Sequence, residues 1–363
     1  MSSADERQVL LNPGPVTLTD RVRKALTRGD WCHREPEFAA LMQSINRRLV
    51  SVYAETTADF EAATLTGSGT AAVEGMVQSF APLDSKTLVV SNGVYGERIA
   101  AMLAKQSKPF VCTDGAWLEP IDMSQVIAML DSNDDISTII TVHHETTTGR
   151  LNDLAALGAL CKARNLDLLL DAVSSFGAES IDFNGWNVAA VAATANKCLH
   201  SVPALSFVLA RKKLWQRESF ASSVYLDLHS YHKAQHATGF SPFTQSVQPA
   251  FALDEALSEL QDQGGWQQRG ASYRTRANKI AATLNTLAVK TLLPSAEYSC
   301  VLWTWVLPEG WTYERLHDVL KQQGFVIYAG QGELASSVFR IAHMGDIDMD
   351  IERLCSALAE CFS

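Results

Sequence analysis

The chain has 363 residues, enough for two domains at roughly 100–200 residues each. Apolar residues make up 47% and charged residues 19%, which excludes a disordered or highly charged chain and suits a large buried core. Lys plus Arg number 30 against 40 Asp plus Glu, and with a formal charge of −10 and no basic block a nucleic-acid surface is not expected.

The first residues, Met1-Ser2-Ser3-Ala4-Asp5-Glu6-Arg7, carry acids and lack the apolar core of a signal peptide. A first helix and a second starting near Pro36 flank Cys32-His33-Arg34-Glu35. Ala62-Ala63-Thr64-Leu65 reads as a strand, Thr66-Gly67-Ser68-Gly69-Thr70 as a turn, and Ala71 to Phe80 as an apolar helix. Short strands follow at Thr87–Ser91, Pro109–Cys112, Ser137–Val142, Leu166–Leu170, Val188–Thr194 and Leu205–Ala210. Helical patterns separate them at Tyr95–Lys105, Met123–Leu130 and Leu151–Arg164. Apolar strands alternating with amphipathic helices predict an α/β fold with a mostly parallel sheet.

Near residue 250 the pattern changes. A long helical stretch from Ala250 to Leu287 is broken by Gly264-Gly265. Strands at Cys300–Val306 and Ser337–Ile341 and helices at Thr312–Gln323 and Asp348–Phe362 then predict a smaller α+β unit. The expected division is an N-terminal arm over 1–15, a large domain over 16–255 and a small domain over 256–363, packed closely because no linker separates them. No apolar run approaches the roughly 20 residues of a membrane span, so no membrane partner is expected. Seven scattered cysteines without a CxxC pair argue against a disulfide scaffold or a zinc site; the expectation is a cytoplasmic protein with no metal.

Four features bear on chemistry. Small residues at the Ser68-Gly69-Thr70 turn expose backbone N–H groups at a helix N-terminus, which suits a phosphate as well as a plain capped turn. Asp171 ends a buried apolar strand, either as a ligand group at the sheet edge or as a helix cap. Lys197 follows the small apolar run Val188–Ala195, and is either a surface lysine or a desolvated amine fit for Schiff-base chemistry. Arg340, between Phe339 and Ile341, meets a buried anion or forms a structural ion pair. Together a phosphate cup, a strand-end acid, a desolvated lysine and a buried arginine match the needs of pyridoxal 5′-phosphate.

At this point the motifs become recognisable. Asn12-Pro13-Gly14-Pro15-Val16, Thr66–Thr70, Asn92-Gly93-Val94-Tyr95-Gly96-Glu97-Arg98 and His144-Glu145-Thr146-Thr147-Thr148-Gly149 stand in order along the chain. They continue in Asp171-Ala172-Val173-Ser174-Ser175-Phe176-Gly177, Asn196-Lys197-Cys198, Gly324–Tyr328 and Phe339-Arg340-Ile341. Over nearly its whole length the sequence resembles the class V, alanine–glyoxylate aminotransferase-like group of fold-type I pyridoxal-phosphate enzymes. The likeness is greatest to members that move the amino group of 2-aminoethylphosphonate to pyruvate. An alanine– or serine–glyoxylate-type aminotransferase, or another class V enzyme, is the alternative.

The resemblance implies that Lys197 holds the cofactor aldehyde, Asp171 pairs with the pyridine nitrogen, and Ser68, Gly69 and Thr70 bind the phosphate. It puts Tyr95 and Val173 on opposite ring faces, Thr146 near the phenolic oxygen, and Arg340 on the substrate's acidic group. Thr244 would reach the phosphate of a neighbouring subunit, so a homodimer with shared sites is implied. His33 and Arg34 are similar to a His-Arg pair that related phosphoserine aminotransferases place on substrate phosphate. Their alternative is structural: capping the next helix or pairing with Glu35 and Glu37. Two departures stand out, Val202-Pro203-Ala204-Leu205-Ser206-Phe207 after the lysine and Ser241-Pro242-Phe243-Thr244-Gln245-Ser246-Val247 around the threonine. They leave the Asp–Lys pair intact and bear only on the substrate.

Overall fold

The computed structural model describes residues 8–362. Met1–Arg7, and with them part of the expected arm, lie outside that range. The described strands are, in chain order, β1 Val9–Leu10, β2 Phe60–Gly67, β3 Lys86–Val90, β4 Phe110–Cys112, β5 Ile136–Val142, β6 His144–Glu145 and β7 Arg150–Leu151. They continue with β8 Asp167–Asp171, β9 Val188–Thr194, β10 Ala204–Arg211, β11 Leu302–Val306, β12 Phe325–Val326, β13 Tyr328–Ala329 and β14 Val338–Ala342.

The main sheet has the order β2-β10-β9-β8-β5-β3-β4. All its pairs are parallel except those of β10, which runs antiparallel to both neighbours. The expected mostly parallel α/β architecture is therefore the one found. Both faces are covered, so Leu168–Leu170 of β8 and Val188–Ala193 of β9 read as unbroken apolar runs, not as alternating ones. Leu168 and Leu170 of β8 point into one core with Phe38, Met42 and Ile45. Leu169 points into the opposite core with Ala190 and Ala192 of β9 and Val73 and Met76 of the helix Gly69–Phe80. The alanines matter: small side chains on β9 let that helix lie close to the sheet. A Cβ on Gly69 would come within 2.7 Å of Val173 and 3.3 Å of Thr194.

Most predicted elements recur within three residues. One helix starts further off. In place of Leu151–Arg164 it runs over Ala155–Ala163, because Arg150–Leu151 pairs antiparallel with β6 and Asp153 accepts the Ala155 N–H at 3.0 Å. The Gly264-Gly265 break separates the helices Val247–Asp262 and Gly265–Thr286. Leu257 and Leu260 of the first join the large-sheet core, whereas Ala277, Ile280 and Leu284 of the second join a separate core with Trp305, Phe339 and Ile341. That second core is built on the sheet β11-β14-β13. The chain's beginning crosses to it: β1 pairs parallel with β12, and Ala342 donates its N–H to the Leu11 carbonyl at 2.7 Å.

Candidate active site

Parallel strands deliver their carboxyl ends to one edge of the sheet, and that is where the predicted residues gather. Tyr95 follows β3, Thr146 follows β5, Asp171 ends β8 and Lys197 follows β9. Strand β2 runs in the same sense as β9 because each is antiparallel to β10, so its end brings Ser68, Gly69 and Thr70 to the same edge. A small cavity there is lined by Thr70, Tyr95, Arg98, Asp171 and Val173.

Each side chain has a local reason for its position. Asp171 is buried, and its Oδ1 accepts the Val173 N–H at 2.9 Å, which fixes the carboxylate and seats Val173 beside it. No helix begins there, so the capping alternative does not arise. Burial pushes the Asp171 carboxyl up to about 6, with the Lys197 and Arg98 charges pulling against it. Ser68 occupies the N-cap of the helix Gly69–Phe80 without a side-chain cap bond, leaving its hydroxyl and the first helical N–H groups for an anion.

Lys197 is partly buried, and its amine donates to the Pro13 carbonyl. Burial lowers it from 10.5 to about 8. Gly14, with φ +98°, lies so close that a Cβ would stand 2.8 Å from Lys197 Cδ, so the N-terminal Asn12-Pro13-Gly14 turn covers the lysine. At pH 7 about a tenth of such amines are neutral, against about one in three thousand for an ordinary lysine. Capture of pyridoxal 5′-phosphate by the apoprotein should therefore quicken with pH and reach half its limiting rate near pH 8. A rate still climbing steeply above pH 10 would place Lys197 in water.

Arg340 is fully buried on β14. Its Nε donates to the Ala329 carbonyl at 2.7 Å and its Nη1 to the Thr146 carbonyl at 2.6 Å. The Tyr328 ring lies 5.0 Å from its guanidinium. Its Nη2 is buried and, among the described residues, has no hydrogen-bond partner. A buried guanidinium nitrogen left unpaired is costly, and an anion arriving from the site would satisfy it. Among the described residues none of Arg340's hydrogen-bond partners is a carboxylate, so no structural ion pair is formed there.

Three participants carried no individual role in the sequence reading, although each lies in a motif quoted above. Glu145 is buried and pushed up to about 7 by that burial. It accepts the Tyr95 N–H at 3.2 Å and the Thr147 hydroxyl at 2.6 Å, and so ties the helix carrying Tyr95 to the segment carrying Thr146. A Cβ on Gly93 would stand 2.3 Å from its carboxyl carbon, so only glycine admits the contact. Arg98 lies over the Tyr95 ring at 4.7 Å. Pro13 is the third.

Two predicted groups stand elsewhere. Arg34 donates to the carbonyls of Ser241 (2.6 Å) and Pro242 (3.2 Å), on the segment that carries Thr244. Thr244 itself is exposed, while Gln245 beside it is buried and bonded to Thr66 at 2.8 Å. His33 lies next to Arg34 and is half-buried.

These residues fit pyridoxal phosphate on structural grounds. Gly69 permits close approach beside Val173, the Ser68 hydroxyl is uncapped, the Lys197 amine is desolvated, and a buried acid faces the cavity. Comparison with known proteins agrees. The aminotransferase class-V family model matches residues 66–342. A 2-aminoethylphosphonate–pyruvate transaminase of Bacillus cytotoxicus is 33% identical over 97% of this chain and 97% of its own length. One from Rhizobium meliloti is 33% identical over 97% of this chain and 92% of its own. A bifunctional phosphonoacetaldehyde hydrolase/aminoethylphosphonate transaminase of Clostridioides difficile is 34% identical, but the chain spans only 56% of its length. Among solved structures, aspartate aminotransferase of subgroup IV from Thermus thermophilus superposes with a TM-score of 0.88 at 25% identity, covering 98% of this chain and 99% of that one. Alanine–glyoxylate aminotransferase from Nostoc gives 0.90 at 24% identity over 99% and 96%, a likeness of fold. The chain belongs to the class-V aminotransferases, which work with pyridoxal phosphate.

Proposed function

We propose that this chain is a 2-aminoethylphosphonate–pyruvate transaminase, yielding phosphonoacetaldehyde and alanine. Full-length likeness to relatives of that name supports the reading. The structural observation that supports it is the buried Nη2 of Arg340, left without a partner while Nε and Nη1 hold the Ala329 and Thr146 carbonyls, and so available to an acidic group of the substrate. A guanidinium fork accepts phosphonate in one half-reaction and carboxylate in the other.

Pyridoxal phosphate, when bound, supplies the electron sink that makes a proton on the amine-bearing carbon removable. The chain's residues do the rest. Ser68, Gly69 and Thr70 bind the phosphate at the helix N-terminus. Asp171 would hold the proton on the pyridine nitrogen, Tyr95 and Val173 would hold the ring, and Thr146 would serve the phenolic oxygen. Lys197 Nζ would hold the cofactor aldehyde, and the same amine would move the proton of the substrate carbon as general base and general acid. Thr244 completes the phosphate cup of a second copy, which makes the working unit a homodimer. The two cores correspond to two domains, with the N-terminal turn bridging them over Lys197.

The test is a half-reaction panel. Holoenzyme mixed with 2-aminoethylphosphonate should lose the yellow band of its lysine-bound cofactor at catalytic rates, and pyruvate should restore it. Alanine should act in the reverse half-reaction. Rapid bleaching by serine, with none by 2-aminoethylphosphonate, would favour the glyoxylate-type alternative.

Arg34 has two carbonyl contacts that position the Ser241–Thr244 segment. Arg34→Ala is expected to weaken both half-reactions alike and to lower thermal stability, at about 1.5–3 kcal/mol for charged hydrogen bonds. A loss confined to the phosphonate half-reaction would put Arg34, and with it His33, on the substrate.

A further inference from the structure

Away from this site, one group of metal-capable side chains stands together among the described residues. It consists of Glu61 of β2 with His232 and His236 of the helix Leu228–Thr238, their ligating atoms all within 4.8 Å of one another. The spacing explains the arrangement. Residues four apart on a helix share a face, and this face lies against β2. The His232 Nε2 is 2.7 Å from Glu61 Oε2, and the His236 Nδ1 is 3.9 Å from Glu61 Oε1.

The cluster has a rigid half and an adaptable half. The His232 ring lies flat on Trp215, with centroids 4.3 Å apart and planes 3° from parallel. The His236 ring stacks on His232 at 5.5 Å, and its side chain is 67% exposed, free to turn toward the carboxylate. Two ligands bound at zinc-like distances in a tetrahedron sit about 3.3 Å apart. The observed separations of 2.7 and 3.9 Å bracket that value, so an ion could enter by replacing one hydrogen bond and rotating one exposed ring. A groove lined by Asn46, Arg47, Gln235 and His236 opens beside Glu61 and gives water access to the remaining position.

We propose that Glu61, His232 and His236 form a binding site for a divalent transition-metal ion of the zinc class, with a coordination position left open to the groove. Two imidazoles and one carboxylate select such ions over magnesium or calcium, which prefer all-oxygen shells. Bound there, the ion staples the helix to the strand. The same helix is already tied to β2 through Gln235, whose Oε1 accepts the Thr64 N–H at 3.0 Å. The helix also leads directly into the segment carrying Thr244. Cysteine spacing gives no sign of this cluster; what marks it in the sequence is the histidine pair four residues apart.

The test uses the full-length holoenzyme in a Cys32→Ser background, which removes the exposed thiol as a competing ligand. Titration with zinc chloride should show one ion per chain and a raised melting temperature. Cobalt should give d–d bands at wavelengths clear of the cofactor. His236→Ala should weaken binding at least about tenfold and abolish the cobalt bands. Because His236 is exposed, the variant should fold and keep its cofactor absorbance. Glu61→Gln, which leaves the helix intact, should behave the same way. Absence of stoichiometric zinc binding, or binding unchanged in both variants, would overturn the proposal.

Discussion

Asp171→Asn is expected to lower turnover by about a hundredfold to a thousandfold while leaving Lys197 able to capture the cofactor. The substitution keeps the shape and the contact to the Val173 N–H, since the amide oxygen can still accept it. It removes the charge. Burial already raises the native carboxyl to about 6, and the Val173 N–H together with the neighbouring cations keeps it from rising further. A neutral amide cannot hold a proton on the pyridine nitrogen, so the electron sink weakens. Single-turnover bleaching by 2-aminoethylphosphonate measures the loss, and the yellow colour of the resting variant checks that the cofactor is bound. Near-normal turnover would mean that Asp171 only shapes the loop after β8.

Arg340→Lys is expected to cost about 3–5 kcal/mol in kcat/KM for both acidic substrates, mostly through KM. The lysine retains a positive charge but not the fork, and a point charge cannot serve Ala329, Thr146 and a substrate oxygen together. Because Arg340 also binds backbone, a melting curve must accompany the kinetics. Loss of stability with unchanged KM would return Arg340 to a purely structural role. A parallel rise in KM for 2-aminoethylphosphonate and pyruvate would support one arginine serving both half-reactions.

Much of this architecture is written locally. The strands β8 and β9 are legible because strands buried on both faces carry unbroken apolar runs, and β5 because its residues are mostly β-branched. For the same reason Asp171 and Lys197 stand out: each is a charged group at the end of such a run, where burial must be compensated. The break between the two long helices is legible in Gly264-Gly265, both with positive φ. The family motifs imply the cofactor and the roles proposed for these residues.

Other features depend on partners far along the chain, and no local pattern encodes them. The start of the helix Ala155–Ala163 is set by a strand pair, β6 with β7, which overrides the helical periodicity of Leu151 to Leu154. Lys197 meets the Pro13 carbonyl across 184 residues, and Arg340 meets the Thr146 carbonyl across 194. Glu145 and Gly93 are neighbours only because β3 and β5 lie side by side in the sheet. The unsatisfied Nη2 of Arg340 becomes visible only once its other nitrogens have been assigned their carbonyls. The sequence by itself determined which residues could do the chemistry, because desolvation cost marks a charged group locally. Only the tertiary structure decided which of them meet and which donors remain free, because hydrogen bonds are completed by whichever backbone the fold brings within reach.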